Sequence, residues 1–306
     1  PRGRNKKMEW GRSKLSRISS VLVFASLAIF VLDALSQSQK SFLWKVQSKT
    51  NTVYVLGSIH FARKDIYPLN QKVENAFDQS DLLVVEANVN DIKKIDIQKL
   101  MEQAVYPDND TLEKHISPET IESLKKETGG LGIPFELVNK QKPWFLAMTL
   151  VALESIKLGL DPNLGIDKYF LSKAEGKKKM LELESVDEQI SLLSGFSDKD
   201  QELFLIYTLK DLHIMEQEVN QLTQAWISGD TKSMESLLTK SFSEDKRFSA
   251  IFEKLIFERN RRMVSKIEDF LRTKETYFVI VGAGHLVGSQ GVIELLKGKG
   301  YLVEQL

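Results

Sequence analysis

Two histidines follow apolar segments in the same local pattern, near opposite ends of the chain. One strand-like segment leads into Gly57 and His60, and another leads into Gly282 and His285. Each reads as Gly-x-x-His directly after a β-strand, where the glycine lets the backbone turn sharply. Imidazole rings bind borderline metal ions and exchange protons near neutral pH. We therefore expect both rings to serve one shared site.

Two glutamates follow two further segments that are predicted to be strands. Residues 82–85 are wholly apolar and end at Glu86, and residues 179–183 end at Glu184. Ligands of open α/β sheets bind outside the carboxyl ends of the strands, so two imidazoles and two carboxylates are expected at one edge of the sheet. This set suits either a metal site with an open coordination position or paired acid–base chemistry.

Arg259 and Asn260 stand on an amphipathic helix predicted over residues 248–271. Asn260 falls within the apolar stripe of this helix, and Arg259 is next to it. Buried polar groups need partners, so both residues are predicted to line a polar site. In the alternative interpretation, Arg259 forms a structural ion pair with Glu258 or Glu86.

The elements that must position these side chains alternate between strands and helices. The predictions are a hairpin within 42–56, a helix after Pro68, mainly helical structure over 90–160, helices over 198–228 and 245–272, a strand over 276–281, a helix over 289–299 capped by Ser289, and a strand over 301–305. Strands at both ends of the domain with a helical middle indicate an α/β fold. We predict a central mixed β-sheet flanked by helices, with a large helical insertion.

One predicted helix, Trp144–Leu158, is apolar on nearly all sides. It is shorter than the roughly 20 residues that a membrane-spanning helix needs. A core helix is the first interpretation, and a partner interface is the second. We also expect that the protein could form a homodimer.

Three further polar residues are interpreted as structural. His115 precedes a helix cap, and His213 lies among polar helix residues. Asp167 is interpreted first as a charge at a helix N-terminus and second as a residue that lines the site.

Composition excludes several classes of function. The 306 residues contain no cysteine, which rules out disulfides and thiolate chemistry. Beyond residue 36 the chain carries 35 basic and 40 acidic residues, so its body is mildly acidic and shows no basic stripe. Nucleic acid is therefore not expected as a partner.

Residues 1–40 are set apart from the fold. Seven basic side chains within residues 1–17 are followed by an apolar run of 12 residues, 21–32. This pattern predicts a signal peptide cleaved after Ser36, with an uncleaved membrane anchor as the alternative. The domain proper is then predicted over 41–306. The protein is expected to be exported, either periplasmic or anchored facing outside the cytoplasm, with the membrane contacted through this segment alone.

The chain resembles the TraB/GumN family over roughly residues 40–306. The motifs that carry the resemblance are Leu56-Gly57-Ser58-Ile59-His60, Val84-Val85-Glu86, Gly165-Ile166-Asp167, Leu183-Glu184 with Glu188-Gln189, Glu258-Arg259-Asn260-Arg261, and 282–288. That family is related to the metal-dependent Tiki proteases and more distantly to ChaN-like haem-binding proteins. The resemblance implies His60 and His285 as ligands of a divalent ion (Mn, Co or Zn), and Glu86 as a ligand or general base.

Two hypotheses follow. In the first, the protein is an exported metal-dependent hydrolase, and the expected class is a peptidase acting on a peptide or protein. Glu86 or Glu184 would then complete the metal shell or activate water, while Arg259 and Asn260 stabilise developing negative charge. In the second, the same crevice belongs to a non-catalytic protein that sequesters a peptide signal or a haem-like ligand.

Overall fold

The sheet at the centre of the molecule has six strands. The computed structural model describes residues 40–90, 96–244 and 246–306. The strands are β1 Leu43–Gln47, β2 Thr52–Ser58, β3 Leu82–Val85, β4 Lys179–Glu182, β5 Tyr277–Gly282 and β6 Leu302–Gln305. Their order across the sheet is β4-β3-β5-β2-β1-β6.

Four neighbouring strands of this sheet, β4, β3, β5 and β2, run parallel. Strand β1 is antiparallel to both β2 and β6, so the sheet is mixed, as predicted. The central strands are apolar because both of their faces are covered: Leu83, Val84, Val279 and Ile280 are fully buried. The parallel quartet matters for function, because it brings four carboxyl ends to one edge.

The helices flank the sheet and fill the long connections between its strands. Their bounds are α1 Gln71–Gln79, α2 Ile97–Ala104, α3 Pro118–Gly130, α4 Phe135–Val138, α5 Pro143–Lys157, α6 Ile166–Ala174, α7 Val186–Ser194, α8 Asp198–Leu212, α9 Met215–Ser228, α10 Thr231–Glu244, α11 Lys246–Phe252, α12 Glu258–Phe270 and α13 Val292–Gly298. A π-helix, Glu253–Phe257, joins α11 to α12.

The helical insertion has a hydrophobic core of its own. Helix α5 contributes Leu146 and Leu150 to this core, and α8 contributes Leu205 and Leu209. The predicted helix over Trp144–Leu158 is therefore confirmed as a core helix. Met148 and Ile156 on it remain exposed, and the partner interface stays a prediction.

Several predicted helix boundaries are wrong. The segment 198–228 is interrupted between α8 and α9, and the segment 245–272 contains the π-helix. The last helix begins at Val292 with Gly291 as its N-cap, and not at Ser289. Gly288 adopts a left-handed backbone with φ of 81°, so the chain is still turning where the cap was expected.

The signal-peptide or anchor prediction over 1–40 falls outside the described residues except for Lys40. Residues 41–306 form one compact unit. In the described ranges no helix combines the length and apolarity that a bilayer span requires.

Candidate functional site

The structure brings the four residues at the strand ends to one edge of the sheet. His60 follows β2, Glu86 follows β3, Glu184 follows β4, and His285 follows β5, all within the parallel quartet. Parallel neighbours end at the same side of a sheet, which is why sequence positions so far apart become neighbours. Glu86, Glu184 and His285 are buried, whereas the His60 side chain is 62% exposed.

Gly282 is the point around which three of these residues meet. Its backbone N–H donates to Glu86 Oε2 at 3.0 Å. A Cβ atom at this position would lie 3.5 Å from Glu86 Oε2, 3.5 Å from the His285 ring and 3.9 Å from His60 Nε2. A larger side chain would therefore fill the space between the imidazoles and the carboxylate. Glycine keeps that space open.

Each imidazole is fixed through its Nδ1 atom. His60 Nδ1 lies 2.8 Å from Asp167 Oδ2. His285 Nδ1 lies 2.6 Å from Asn260 Oδ1. The Asn260 amide donates from Nδ2 to the Gln290 carbonyl at 2.8 Å, which directs its oxygen to the ring. His285 therefore carries its proton on Nδ1, and its Nε2 is left with a free lone pair, 3.8 Å from Glu86 Oε2.

The two rings differ in charge. The hydrogen bond to Asp167 is the main cause that raises the pKa of His60 to about 9, and the charge of the same carboxylate adds to it. Burial lowers the pKa of His285 to about 4. In the absence of a metal ion, His60 is thus protonated at neutral pH and His285 is neutral.

A buried guanidinium holds the two glutamates. Arg259 forms ion pairs with Glu86 and, at 2.8 Å, with Glu184. The Gln189 amide also donates to Glu86 Oε1 at 2.9 Å. The interpretation of Arg259 as a partner of Glu86 is confirmed, with Glu184 as a second partner. Such a network satisfies charges that would be costly to bury alone.

Glu86 is ionised in this setting. Burial opposes its ionisation, but Arg259, the Gly282 N–H and His285, which is itself charged only below about pH 4, together lower the pKa of Glu86 to about 2. A carboxyl with so low a pKa is a weak proton acceptor near neutral pH. Its environment therefore favours the role of an anionic ligand over that of a general base.

Asn260 is placed differently from its predicted role. It is fully buried, and its amide is committed to His285 on one side and Gln290 on the other. Its oxygen orients the His285 ring, and one of its N–H groups is used by the Gln290 carbonyl. Asn260 therefore reaches the site through the ring it supports, and its predicted role in stabilising negative charge stays a prediction.

Sequence reasoning undervalued two members of the site. Asp167, interpreted first as a charge at a helix N-terminus, is the hydrogen-bond partner of His60. Gly165, two residues earlier, lets α6 approach His60 closely, because a Cβ at position 165 would clash with the His60 carbonyl. In the sequence, Gln189 stands out only as part of a family motif. It lies one turn into α7, the helix that begins just after Glu184, and this position was the signal that could have identified it.

The two other histidines lie in the helical insertion. His115 contacts Asp110 at 2.8 Å and Asp198 at 3.1 Å, and His213 contacts Glu127 at 3.1 Å. Their interpretation as structural residues stays consistent with these partners.

The donor chemistry of the site fits a divalent ion in part. His60 Nε2 and Glu86 Oε2 border the space at Gly282, and His285 Nε2 lies 3.8 Å from the same carboxylate oxygen, a nitrogen–oxygen set that suits Mn, Co or Zn. However, among the residues described, no three His, Asp or Glu side chains are grouped closely enough to hold an ion as they stand.

Sequence comparisons identify relatives of this chain. The chain is 29% identical to YbaP of Escherichia coli (strain K12) over 80% of this chain and 87% of that protein. It is 28% identical to a Metalloprotease TIKI homolog of Nematostella vectensis over 86% of this chain and 66% of that protein. It is 23% identical to Metalloprotease TIKI1 of Xenopus tropicalis, over 87% of this chain and 61% of that protein.

No solved structure matches the chain significantly. The model of one protein family, described as TraB/PrgY/gumN, matches residues 42–305, which is nearly the whole compact unit and includes every residue of the site. The chain therefore belongs to the TraB/PrgY/gumN family.

Proposed function

We propose that this protein is an exported metal-dependent hydrolase that cleaves peptides. The observation that carries the proposal is the pair of imidazoles at Gly282. Both have their Nδ1 atoms occupied by fixed partners, and His60 Nε2 borders the same space as Glu86 Oε2 and the His285 ring. Preorganised rings of this kind are typical of metal ligands.

His60, His285 and Glu86 would hold the ion. When bound, the ion supplies a Lewis acid that polarises a carbonyl and lowers the pKa of water. The exposed edge of His60 keeps the site open to a substrate. Glu86 contributes negative charge, which its low pKa preserves across the physiological range.

Arg259 is the residue suited to stabilise negative charge that develops on a substrate. Its guanidinium contacts both Glu86 and Glu184. Once Glu86 binds the ion, part of the positive charge of Arg259 is available to a neighbouring oxygen. Glu184 keeps the guanidinium in place through contacts of 2.8–2.9 Å, while Asn260 keeps the His285 ring in place.

Peptide substrates are proposed because of the relatives. Three TIKI proteins that match over most of this chain are named metalloproteases, at 21–28% identity. The support for export is the composition of residues 1–40, basic and then apolar. Mass spectrometry of the protein recovered from intact cells checks it. A mature N-terminus near Ser36 is expected, or full-length protein that added protease cleaves once the outer envelope has been opened, whereas uncut protein that stays shielded behind the cytoplasmic membrane would refute export.

Metal analysis of the purified protein tests the function. Wild type is expected to bind Mn, Co or Zn and to cleave members of a peptide library. The double variant His60→Ala, His285→Ala should lose metal occupancy by at least about tenfold. A His115→Ala, His213→Ala double variant is the matched control, because it removes two histidines of the helical insertion, and it should retain both properties.

Two outcomes would contradict the proposal. Equal metal content in wild type and the His60→Ala, His285→Ala variant would show that these two histidines do not bind the metal ion. Normal metal binding without cleavage of any peptide, together with a co-purifying peptide or haem-like ligand, would favour the binding-protein hypothesis.

A further inference from the structure

One buried hydroxyl beside the site has no hydrogen-bond partner. In the described part of the chain, the buried side-chain oxygens without a partner are Ser58 Oγ, Asn139 Oδ1, Gln141 Oε1 and Gln201 Oε1. The last three belong to amides of the helical insertion. Ser58 alone among them is at a strand end of the parallel quartet, and it is 3% exposed.

Other buried serines of the protein use their hydroxyls. Ser41 donates to the Leu306 carbonyl at 3.0 Å, Ser80 to Ala76 at 2.7 Å and Ser155 to Val151 at 2.7 Å. A buried hydroxyl without a partner loses its hydrogen bonds to water and gains none in exchange. Alanine would avoid that cost at position 58, so the hydroxyl is expected to have a partner in another state of the site.

The register of the sheet shows where that partner lies. Ser58 pairs with Gly282 in the last step of the β2–β5 ladder. Paired residues on neighbouring strands direct their side chains to the same face of the sheet. A Cβ on Gly282 would point at Glu86 Oε2, His285 and His60 Nε2. The Ser58 side chain is therefore directed to the same face of the sheet, next to the space that these groups surround.

We propose that Ser58 is a positioning residue that hydrogen-bonds an oxygen atom of whatever occupies the space at Gly282. This inference rests on the proposed metal-dependent function, because the ion brings that oxygen to the site. A hydroxyl can both donate and accept, and a change of its χ1 rotamer is enough to redirect it. The oxygen comes either from water or from a carbonyl-like group of the substrate.

The experiment compares unfolding temperature with and without metal in purified full-length protein. In metal-free protein, Ser58→Ala is expected to unfold at or above the wild-type temperature, because it removes an unsatisfied group. In titrations with Mn, Co or Zn, run with the metal alone and with acetohydroxamate, the same variant should bind about tenfold more weakly under at least one of the two conditions, as is typical when a supporting hydrogen bond is lost. Ser58→Thr keeps the hydroxyl and should restore most of this affinity.

Ser41→Ala is the matched control. Its hydroxyl is buried and already bonded to Leu306. This variant should unfold at a lower temperature than wild type without metal and should retain wild-type metal affinity. The two serines thus give opposite patterns if the inference is correct.

Acetohydroxamate, a small metal-binding probe with a carbonyl, separates the two sources of the oxygen. Weaker binding of the metal alone by Ser58→Ala supports water as the partner. A loss that arises only when acetohydroxamate is present supports a substrate oxygen. Wild-type affinity under both conditions, or a metal-free destabilisation as large as that of Ser41→Ala, would overturn the inference.

Failure of the proposed function gives a different result. If wild type itself shows no thermal shift with any of the three metals, the metal-dependent function fails and this inference fails with it. If wild type shifts and Ser58→Ala shifts equally, only the role of Ser58 is refuted.

Discussion

The two Gly-x-x-His segments deliver the same ring by the same local geometry, yet they produce two chemically different histidines. His60 is solvent-exposed and paired with a carboxylate, Asp167, while His285 is buried and paired with a neutral amide, Asn260. The pKa of the first is raised to about 9, and that of the second is lowered to about 4. The motif determines where a ring lies, and the partner determines whether it is charged.

The largest effect is expected from truncating each ring in turn. In metal-free protein, His285→Ala should lower the free energy of unfolding by about 2–4 kcal/mol, because it leaves a cavity and an unsatisfied Asn260. His60→Ala should cost about 1 kcal/mol or less, since exposed ion pairs contribute little. Urea unfolding at neutral pH measures both. Equal losses would show that the two sites do not differ as their burial indicates.

The pH dependence of stability should have opposite signs for the two rings. His285 has a folded pKa below the value of about 6.5 in the unfolded chain, so the stability associated with it is present above pH 6.5 and falls by about 3 kcal/mol as pH drops to 4. Comparison of wild type with His285→Ala from pH 4 to 7 isolates this contribution. A pH-independent difference between them would contradict the buried, neutral ring.

His60 should behave in the reverse sense and more weakly. Its folded pKa is above the unfolded value, so its contribution is fully present below about pH 6.5 and is lost as pH rises through 9. The difference in unfolding free energy between wild type and His60→Ala should shrink over that interval, from about 1 kcal/mol or less, because the ring is exposed. A difference that grows with pH would refute the Asp167 pairing.

Asp167→Asn gives His60 the kind of partner that His285 has. Without the carboxylate, the pKa of His60 should fall by more than about one unit toward its ordinary value. Titration of the histidine rings by NMR in metal-free protein measures this shift directly, with the His213 signal as an internal control. An unchanged pKa would mean that another group, and not Asp167, holds the proton.

The smallest effect is expected from His115, which contacts two carboxylates but lies outside the site. Replacement by alanine should reduce stability by about 1 kcal/mol or less and leave metal affinity unchanged. Calorimetry with and without metal tests both points. Loss of metal binding in this variant would show that a histidine paired with carboxylates can affect metal affinity without lying at the edge of the sheet.

Sequence patterns predicted the parts of this molecule that depend on local chemistry. Apolar runs identified the strands, and the residues that follow them identified His60, Glu86, Glu184 and His285. The pairing of His60 with Asp167 could not be read in this way, because it joins residues 107 positions apart and depends on how α6 packs against the end of β2. No local pattern encodes that approach.

Helix boundaries failed for a related reason. The π-helix Glu253–Phe257 looks like ordinary amphipathic helix in sequence, yet it directly precedes the turn that carries Arg259 and Asn260. Ser289 is a suitable cap, but Gly288 and Gly291 together delay the helix start to Val292. In both places, backbone geometry set by tertiary contacts overrides residue preference.

The parallel pairing of β2 with β5 makes the site a product of long-range folding. Most of the chain lies between the two rings, so a ribosome must complete the helical insertion before the second ring exists to join the first. Assembly of such non-local contacts is slow. Under the proposed function, a nascent chain would lack a complete site until its last strands are made, and withdrawal of a bound ion by a chelator would weaken the whole domain at once and not just one loop.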